Sequence, residues 1–263
     1  MSGIFKILFA MLLFFNVAGV QAIPRHLSMM GATSCLAYLK AQVPGWERQH
    51  PGYTVSISGG GSVAGIVEVS QGRVDVGVSD IPSQSQWTGG MALRAYLLGR
   101  LPILFIAHPG TGITNLSSVQ LGKIFEGRVS NWRAVGGRSV PMVVITRPFS
   151  SGSLGVVQGR LLQGRRVTGR AIVELSNGAM LAAVRETPGA IGFLESGWAP
   201  SGVRTLSINH QPYRASGAAN SWPYYAEPRL LVRRDASSMV ISLARYLATR
   251  PDRSRFGIFG AGS

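Results

Sequence analysis

Gly72-Arg73-Val74-Asp75-Val76-Gly77-Val78-Ser79-Asp80 is the stretch from which the fold is read. Apolar residues alternate with small or polar ones from Val74 to Val78, as on a β-strand, and the strand predicted there stops at Ser79-Asp80. Upstream, Tyr53 to Ser58 alternates in the same way and stops at Gly59-Gly60-Gly61-Ser62, after which Val63 to Ser70 reads as a helix. Gly31-Ala32-Thr33-Ser34 leads into a helix-like run over 35–49. Downstream, Val140 to Thr146 is strand-like, Arg147-Pro148-Phe149-Ser150-Ser151-Gly152-Ser153 is a loop, and 154–163 reads as a helix. Strand–loop–helix units in series predict α/β layering, with the loops at the C-terminal ends of strands, where such sheets bind ligands.

The remaining elements follow the same alternation. Leu101 to Ala107 is an unbroken apolar run, as in a buried strand. Thr114 to Ser117 opens a helix running to Phe125; 179–186 is a helix stopped by Thr187-Pro188-Gly189; Ala190 to Phe193 is a short strand. Tyr224 to Arg233 returns as an extended segment, and 237–249 is a helix with Met239, Val240, Leu243, Tyr246 and Leu247 on one face. The extended segments near 101–108 and 224–233 suit two crossings between two lobes.

Lys6 precedes an apolar run from Ile7 to Val20, and Val20-Gln21-Ala22 offers small residues for cleavage. The run is shorter than the ~20 residues a membrane span needs, so 1–22 reads as a cleaved signal peptide and the chain as periplasmic. About 241 residues of the 263 remain, enough for a large core. The single cysteine, Cys35, permits no intrachain disulfide. It reads as a small buried apolar residue, and it follows no lipobox. The formal charge is +15, carried by 23 arginines and 3 lysines; Gly127 to Val173 holds eight arginines and no acid. Such a field attracts anions, including an anionic envelope surface. Nucleic acid is not expected, since no recognised binding module is present.

The four loops share one chemistry. Hydroxyls and N–H groups at helix starts suit a tetrahedral oxyanion, and one arginine can clamp it. Asp80 is the exception. An ionised carboxylate only accepts hydrogen bonds, so it tolerates a ligand that brings a proton, such as hydrogen phosphate, and repels sulfate by roughly 1–3 kcal/mol. Alternatively, Asp80 caps the following helix, since Asp80-Ile81-Pro82 is a good helix entry. His26, His50, His108 and His210 lack metal-ligand spacing, so no metal or other cofactor is expected. No G-x-S-x-G elbow supports a hydrolase, and a serine without a base makes a weak phosphatase. The tryptophans at 46, 87, 132, 198 and 222 read as packing residues.

In this order and spacing the loops resemble those of the phosphate-binding proteins of bacterial phosphate ABC importers. Gly31-Ala32-Thr33, Gly59 to Gly65, Gly72 to Asp80, and Arg147 with Ser151-Gly152-Ser153 are similar to that family's four ligand loops. Leu116 to Gly137 and Thr187-Pro188-Gly189-Ala190-Ile191-Gly192 resemble two of its structural stretches. The resemblance implies a monomeric, non-enzymatic, two-lobed periplasmic-binding-protein-like fold of type II, each lobe a sheet flanked by helices. The lobes would be 23–105 plus 226–263, and 106–225. It further implies inorganic phosphate as ligand and importer membrane subunits as partners. Thr33 and Ser62 would donate hydroxyls, Ser34 a backbone N–H, and Arg147 a charge-assisted bond. Ser151, Gly152 and Ser153 would add hydroxyls and N–H groups, and Asp80 would accept. One position departs from the pattern: many family members carry an acid two residues after the arginine, and here it is Phe149. Phe149 and Pro148 would instead stiffen the loop by packing and fixed φ. With the arginine-rich stretch, this leaves an envelope or secretion-associated interaction protein as the alternative function, with a phosphatase behind it.

Overall fold

Val76–Ser79 is buried at every residue, which puts this strand inside a sheet rather than at its edge. The computed structural model describes residues 25–198, 201–214 and 222–250. The expected signal peptide, 1–22, lies outside the described residues. In chain order the strands are β1 (Arg25–Gly31), β2 (Tyr53–Gly59), β3 (Val76–Ser79), β4 (Leu93–Leu97), β5 (Leu101–Ala107), β6 (Asn115–Leu116), β7 (Val143–Thr146), β8 (Ile172–Val173), β9 (Ala190–Glu195), β10 (Arg204–Thr205), β11 (Ser207–Ile208), β12 (Tyr225–Ala226) and β13 (Arg229–Arg233). The helices are α1 (Leu36–Gln49), α2 (Ser62–Ser70), α3 (Ser85–Thr88), α4 (Ser118–Phe125), α5 (Gly152–Val156), α6 (Asn177–Glu186) and α7 (Ser238–Thr249).

The first sheet runs β2-β1-β3-β13-β4. β1 is parallel to β2 and β3, whereas β13 returns antiparallel between β3 and β4. Side chains alternate across it: Leu230 and Val232 join the core shared with α1 and α7, and Leu231 packs with Ile66 and Val69 of α2. The second sheet runs β10-β5-β9-β7-β8, with β12 also paired to β5. Every residue of β5 is buried, which explains its unbroken apolar run. Ile103, Phe105 and Ala107 face the main core with Phe125 and Phe193, and Leu104 and Ile106 meet Met180 and Val184 of α6 on the other face. Two mixed sheets with helices on their faces are the expected two-lobed α/β arrangement.

The chain leaves the first sheet after Leu97, enters the second at Leu101, and returns between Ala226 and Arg229. The junctions drawn at 105/106 and 225/226 therefore fall inside β5 and β12. Helix starts follow from side-chain caps. Ser117 and Gln120 form a reciprocal capping box at α4, Ser176 caps α6, and Ser237 caps α7. The helix expected over 154–163 instead begins at Gly152 and widens from Val157 to Leu161, where the Leu162 N–H bonds the Val157 carbonyl at 3.0 Å. Two late motifs meet in the second lobe. The Trp132 indole N–H donates to the Gly189 carbonyl at 2.8 Å. Gly189 has φ +80°, and a Cβ there would stand 2.1 Å from the Pro141 carbonyl oxygen.

Candidate functional site

Three loops of the first lobe are bonded to one another. Gly31 ends β1 with φ +146°, its Cα so close to β3 that a Cβ would meet the Val78 carbonyl oxygen at 2.0 Å. The Ala32 N–H then donates to that carbonyl at 2.9 Å, and the chain turns through Thr33–Cys35 into α1. The Gly61 N–H donates to the Gly31 carbonyl at 3.0 Å, which holds the second loop against the first. Ser62 opens α2, and its hydroxyl oxygen accepts the Asp80 N–H at 3.0 Å. The Ser34 hydroxyl donates to Asp80 Oδ1 at 2.6 Å.

The fourth loop arrives from the other lobe and closes the site. A Cβ on Gly152 would lie 2.3 Å from Asp80 Cβ and 2.7 Å from Ser62 Oγ. The Ser151 and Ser153 hydroxyls are 3.0 Å apart, both buried. Arg147 directly follows β7 and is buried, and a cavity of about 230 Å³ is lined by it and by Thr33, Gly60, Gly61, Ser150 and Ser151. The structure thus brings Thr33, Ser34, Ser62, Asp80, Arg147, Ser151, Gly152 and Ser153 into one interlobe site.

Two readings are corrected here. Asp80 caps no helix: the next one starts at Ser85, and the carboxyl turns to Ser34 instead. Phe149 is not packed into the loop, being 77 % exposed. Arg147 is held from elsewhere: its Nη1 donates to Asn177 Oδ1 at 2.7 Å, and its Nη2 to the Leu175 carbonyl at 3.2 Å. Asn177, fully buried as the first residue of α6, fixes the guanidinium in place of an acid at 149. Sequence reasoning missed Asn177, Glu195 and Arg229. Glu195, an acid ending an otherwise apolar strand, was the readable sign of the three.

The site is a buried charge cluster. Burial, then the charge of Glu195, raises the Asp80 carboxyl to about 7, while the Ser34 hydrogen bond, Arg147 and Arg229 act the other way. Burial lowers the pKa of Arg147, and Glu195 and Asp80 oppose that shift. Glu195 Oε2, Arg147 Nε, Asn177 Nδ2 and Arg229 Nη1 are buried without a hydrogen-bond partner among the described residues. Unmet donors outnumber unmet acceptors, an arrangement an anion would satisfy. Ser62, its oxygen already accepting, keeps its hydroxyl proton free to donate. Cys35, buried behind this cluster, has its thiol pushed well up by burial and by Asp80, which keeps it unreactive. Ser79, the other serine of the third loop, bonds its own backbone at Ile81. His26, His50 and His108 bond elsewhere, and no group of three or more metal-ligating side chains occurs among the described residues. Nor is any described helix long and apolar enough to cross a membrane.

Comparisons with known proteins bear on the family and the fold. A family model described as the PBP superfamily domain matches residues 16–229. The phosphate-binding protein PstS of Bacillus subtilis is 25% identical over 235 residues, 88% of this chain and 78% of that protein. PstS of Borreliella burgdorferi is 30% identical over 141 residues, 49% of this chain and 50% of that one. Among solved structures, a substrate-binding protein from Clostridium perfringens with bound phosphate has a TM-score of 0.83 at 18% identity, over 90% of this chain and 100% of that one. An ABC-type phosphate transport receptor from Vibrio cholerae has a TM-score of 0.72 at 21% identity, over 88% and 96%. These superpositions establish the two-lobed type II fold.

Proposed function

This chain belongs to the PBP superfamily, and we propose that it captures inorganic hydrogen phosphate between its lobes and presents it, in the periplasm, to an importer or sensor. One observation carries the reading. A buried arginine and a buried acid, Arg147 and Asp80, share one interlobe site lined by hydroxyls. A buried guanidinium calls for an anion, and a carboxylate beside that anion calls for a proton between the two. Hydrogen phosphate meets both conditions. In this reading Thr33 and Ser62 donate hydroxyls, and Ser34 gives its backbone N–H while its own hydroxyl stays on Asp80. Arg147 binds through Nε, with Asn177 and Leu175 holding its other nitrogens. Ser151, Gly152 and Ser153 supply hydroxyls and N–H groups from the opposite lobe. The lobes are 25–97 with 229–250, and 101–226, and they close on the ligand as a hinge. The names of the relatives and structural neighbours, phosphate-binding proteins and a phosphate transport receptor, support both ligand and importer.

Isothermal titration tests the proposal. Saturable one-to-one binding of phosphate is expected, at least about tenfold tighter than sulfate. No binding at ~1 mM phosphate would overturn it. A second reading, an envelope interaction protein, draws on the second lobe's surface. Phe149 and Val173 are exposed and share a groove with Arg166, and Ile172 and Leu175 are exposed as well. Envelope capture that survives Arg147→Ala but not loss of Phe149 and Arg166 would favour it.

A further inference from the structure

The phosphate reading leaves a larger space in the same cleft unexplained. Beside the oxyanion cavity lies a groove of about 550 Å³, and Thr33 lines both. One wall is the start of α1: Thr33, Ser34, Leu36 and Ala37. The other is the turn after β9, Gly197 and Trp198, with Ser176 at the start of α6. Most of this lining is apolar, unlike the oxyanion cavity. Trp198 is 38 % exposed, against a fully buried Trp46 and Trp132. It is braced rather than loose: a Cβ on Gly178 would lie 3.5 Å from its Cζ3, so the ring rests on the first turn of α6. Lys40, one helical turn beyond Leu36, lines the groove and has no ion pair among the described residues.

Inorganic phosphate has no part that could enter this groove. We propose that the cleft also binds phosphomonoesters and phosphonates, seating the phosphoryl group on Arg147 and Thr33 and the apolar substituent between α1 and Trp198. The inference rests on the phosphate reading of the oxyanion cavity. Three features support it: the two spaces share Thr33, an indole ring and aliphatic side chains line the same groove, and a free cation lining it favours anionic ligands. The groove is formed by both lobes, so a substituent held there is enclosed by the same closure that traps the phosphoryl group. The pKa of Asp80, raised to about 7, suits this wider class. A fully ionised ester brings no proton, and near neutrality the carboxyl can supply it. No bond is made or broken: the ligand is held, not hydrolysed.

The test uses phenylphosphonate, methylphosphonate and inorganic phosphate, titrated into the purified protein and into Trp198→Ala. Phenylphosphonate is expected to displace phosphate from the wild type with an affinity within about tenfold of it. Trp198→Ala should weaken phenylphosphonate about tenfold and leave phosphate and methylphosphonate within about twofold, since only the aryl group reaches the indole. Phosphate binding without competition by phenylphosphonate would overturn the inference and leave the phosphate reading standing. A Trp198→Ala effect equal on all three ligands would also overturn it, because the indole would then act on the lobes rather than the substituent. Phenylphosphonate binding without phosphate binding would uphold the groove and overturn inorganic phosphate as the ligand. Binding of none of the three would overturn both.

Discussion

Asp80 sits between burial and the charge of Glu195 on one side and the Ser34 hydrogen bond and two arginines on the other, and its titration follows from that balance. Burial and Glu195 together raise its carboxyl from 3.8 to about 7. Below that value it holds a proton and can donate, so a fully ionised oxyanion such as sulfate is tolerated. Above it the carboxylate only accepts, and sulfate is repelled. The preference for phosphate over sulfate should therefore rise between pH ~6 and pH ~8, and Asp80→Asn should flatten that rise; competition titrations at the two pH values check it. Stability carries the same sign. A raised folded-state pKa gives stability that is complete below the unfolded value and lost as pH rises through about 7, so the ligand-free melting temperature should fall over that interval. In Asp80→Asn the fall should shrink by a few degrees, about 2–4 °C per kcal/mol for a chain of this size. Arg147 poses a different residue-scale question, since the acid expected beside it is absent. Asn177→Ala removes the partner of Nη1 and should weaken phosphate about tenfold or more, whereas Phe149→Ala, at an exposed position, should leave it within about twofold. Equal effects of the two would mean that Asn177 does not position the guanidinium.

Among the elements, glycines separate what folds the lobes from what closes them. Gly65 of α2 lies against β3, and a Cβ there would meet the Val78 carbonyl oxygen at 2.5 Å and the Met30 carbonyl oxygen at 2.8 Å, all within one lobe. Gly152 of α5 has its clash with Asp80 and Ser62 across the two lobes. Gly65→Ala should therefore lower the melting temperature of the ligand-free protein. Gly152→Ala should lower it less, because the lobes can part at that contact, while abolishing phosphate binding. Melting curves with and without phosphate distinguish the two. The same contrast explains what could be read from the sequence. β2, β3, β5 and β9 carry β-branched or continuous apolar residues, and α4, α6 and α7 announce themselves by Ser117, Ser176 and Ser237 caps. The four candidate loops were readable because their backbone demands Gly and because they gather hydroxyls. β1 was missed because Met29, Met30 and Gly31 have no strand preference of their own, and its place between β2 and β3 is decided by pairing. Asn177 was missed for a similar reason: its work is done on a guanidinium 30 residues away, and nothing local marks it.

On the scale of the whole molecule, the eight arginines between Gly127 and Val173 divide sharply. Arg147 is buried in the cleft and the other seven are exposed. Arg128 and Arg165 share Glu126, while Arg133, Arg166 and Arg170 have no ion pair among the described residues. Exposed charges of this kind add little to stability, but with a formal charge of +15 they set a long-range attractive field for an anion. For the proposed ligand, that field would act on capture rather than on retention, since a phosphate enclosed with Arg147 would be shielded from counter-ions. Stopped-flow measurements should find the association rate falling several-fold as ionic strength rises from ~0.01 to ~0.15 M, with the dissociation rate nearly constant. Replacing Arg133, Arg166 and Arg170 together by Gln should shallow the salt dependence of association and leave affinity at high salt within about twofold. An association rate indifferent to both salt and these substitutions would detach the basic surface from ligand capture. The exposed arginines would then have to be explained by a partner on the second lobe, where they flank the apolar residues Ile172 and Val173.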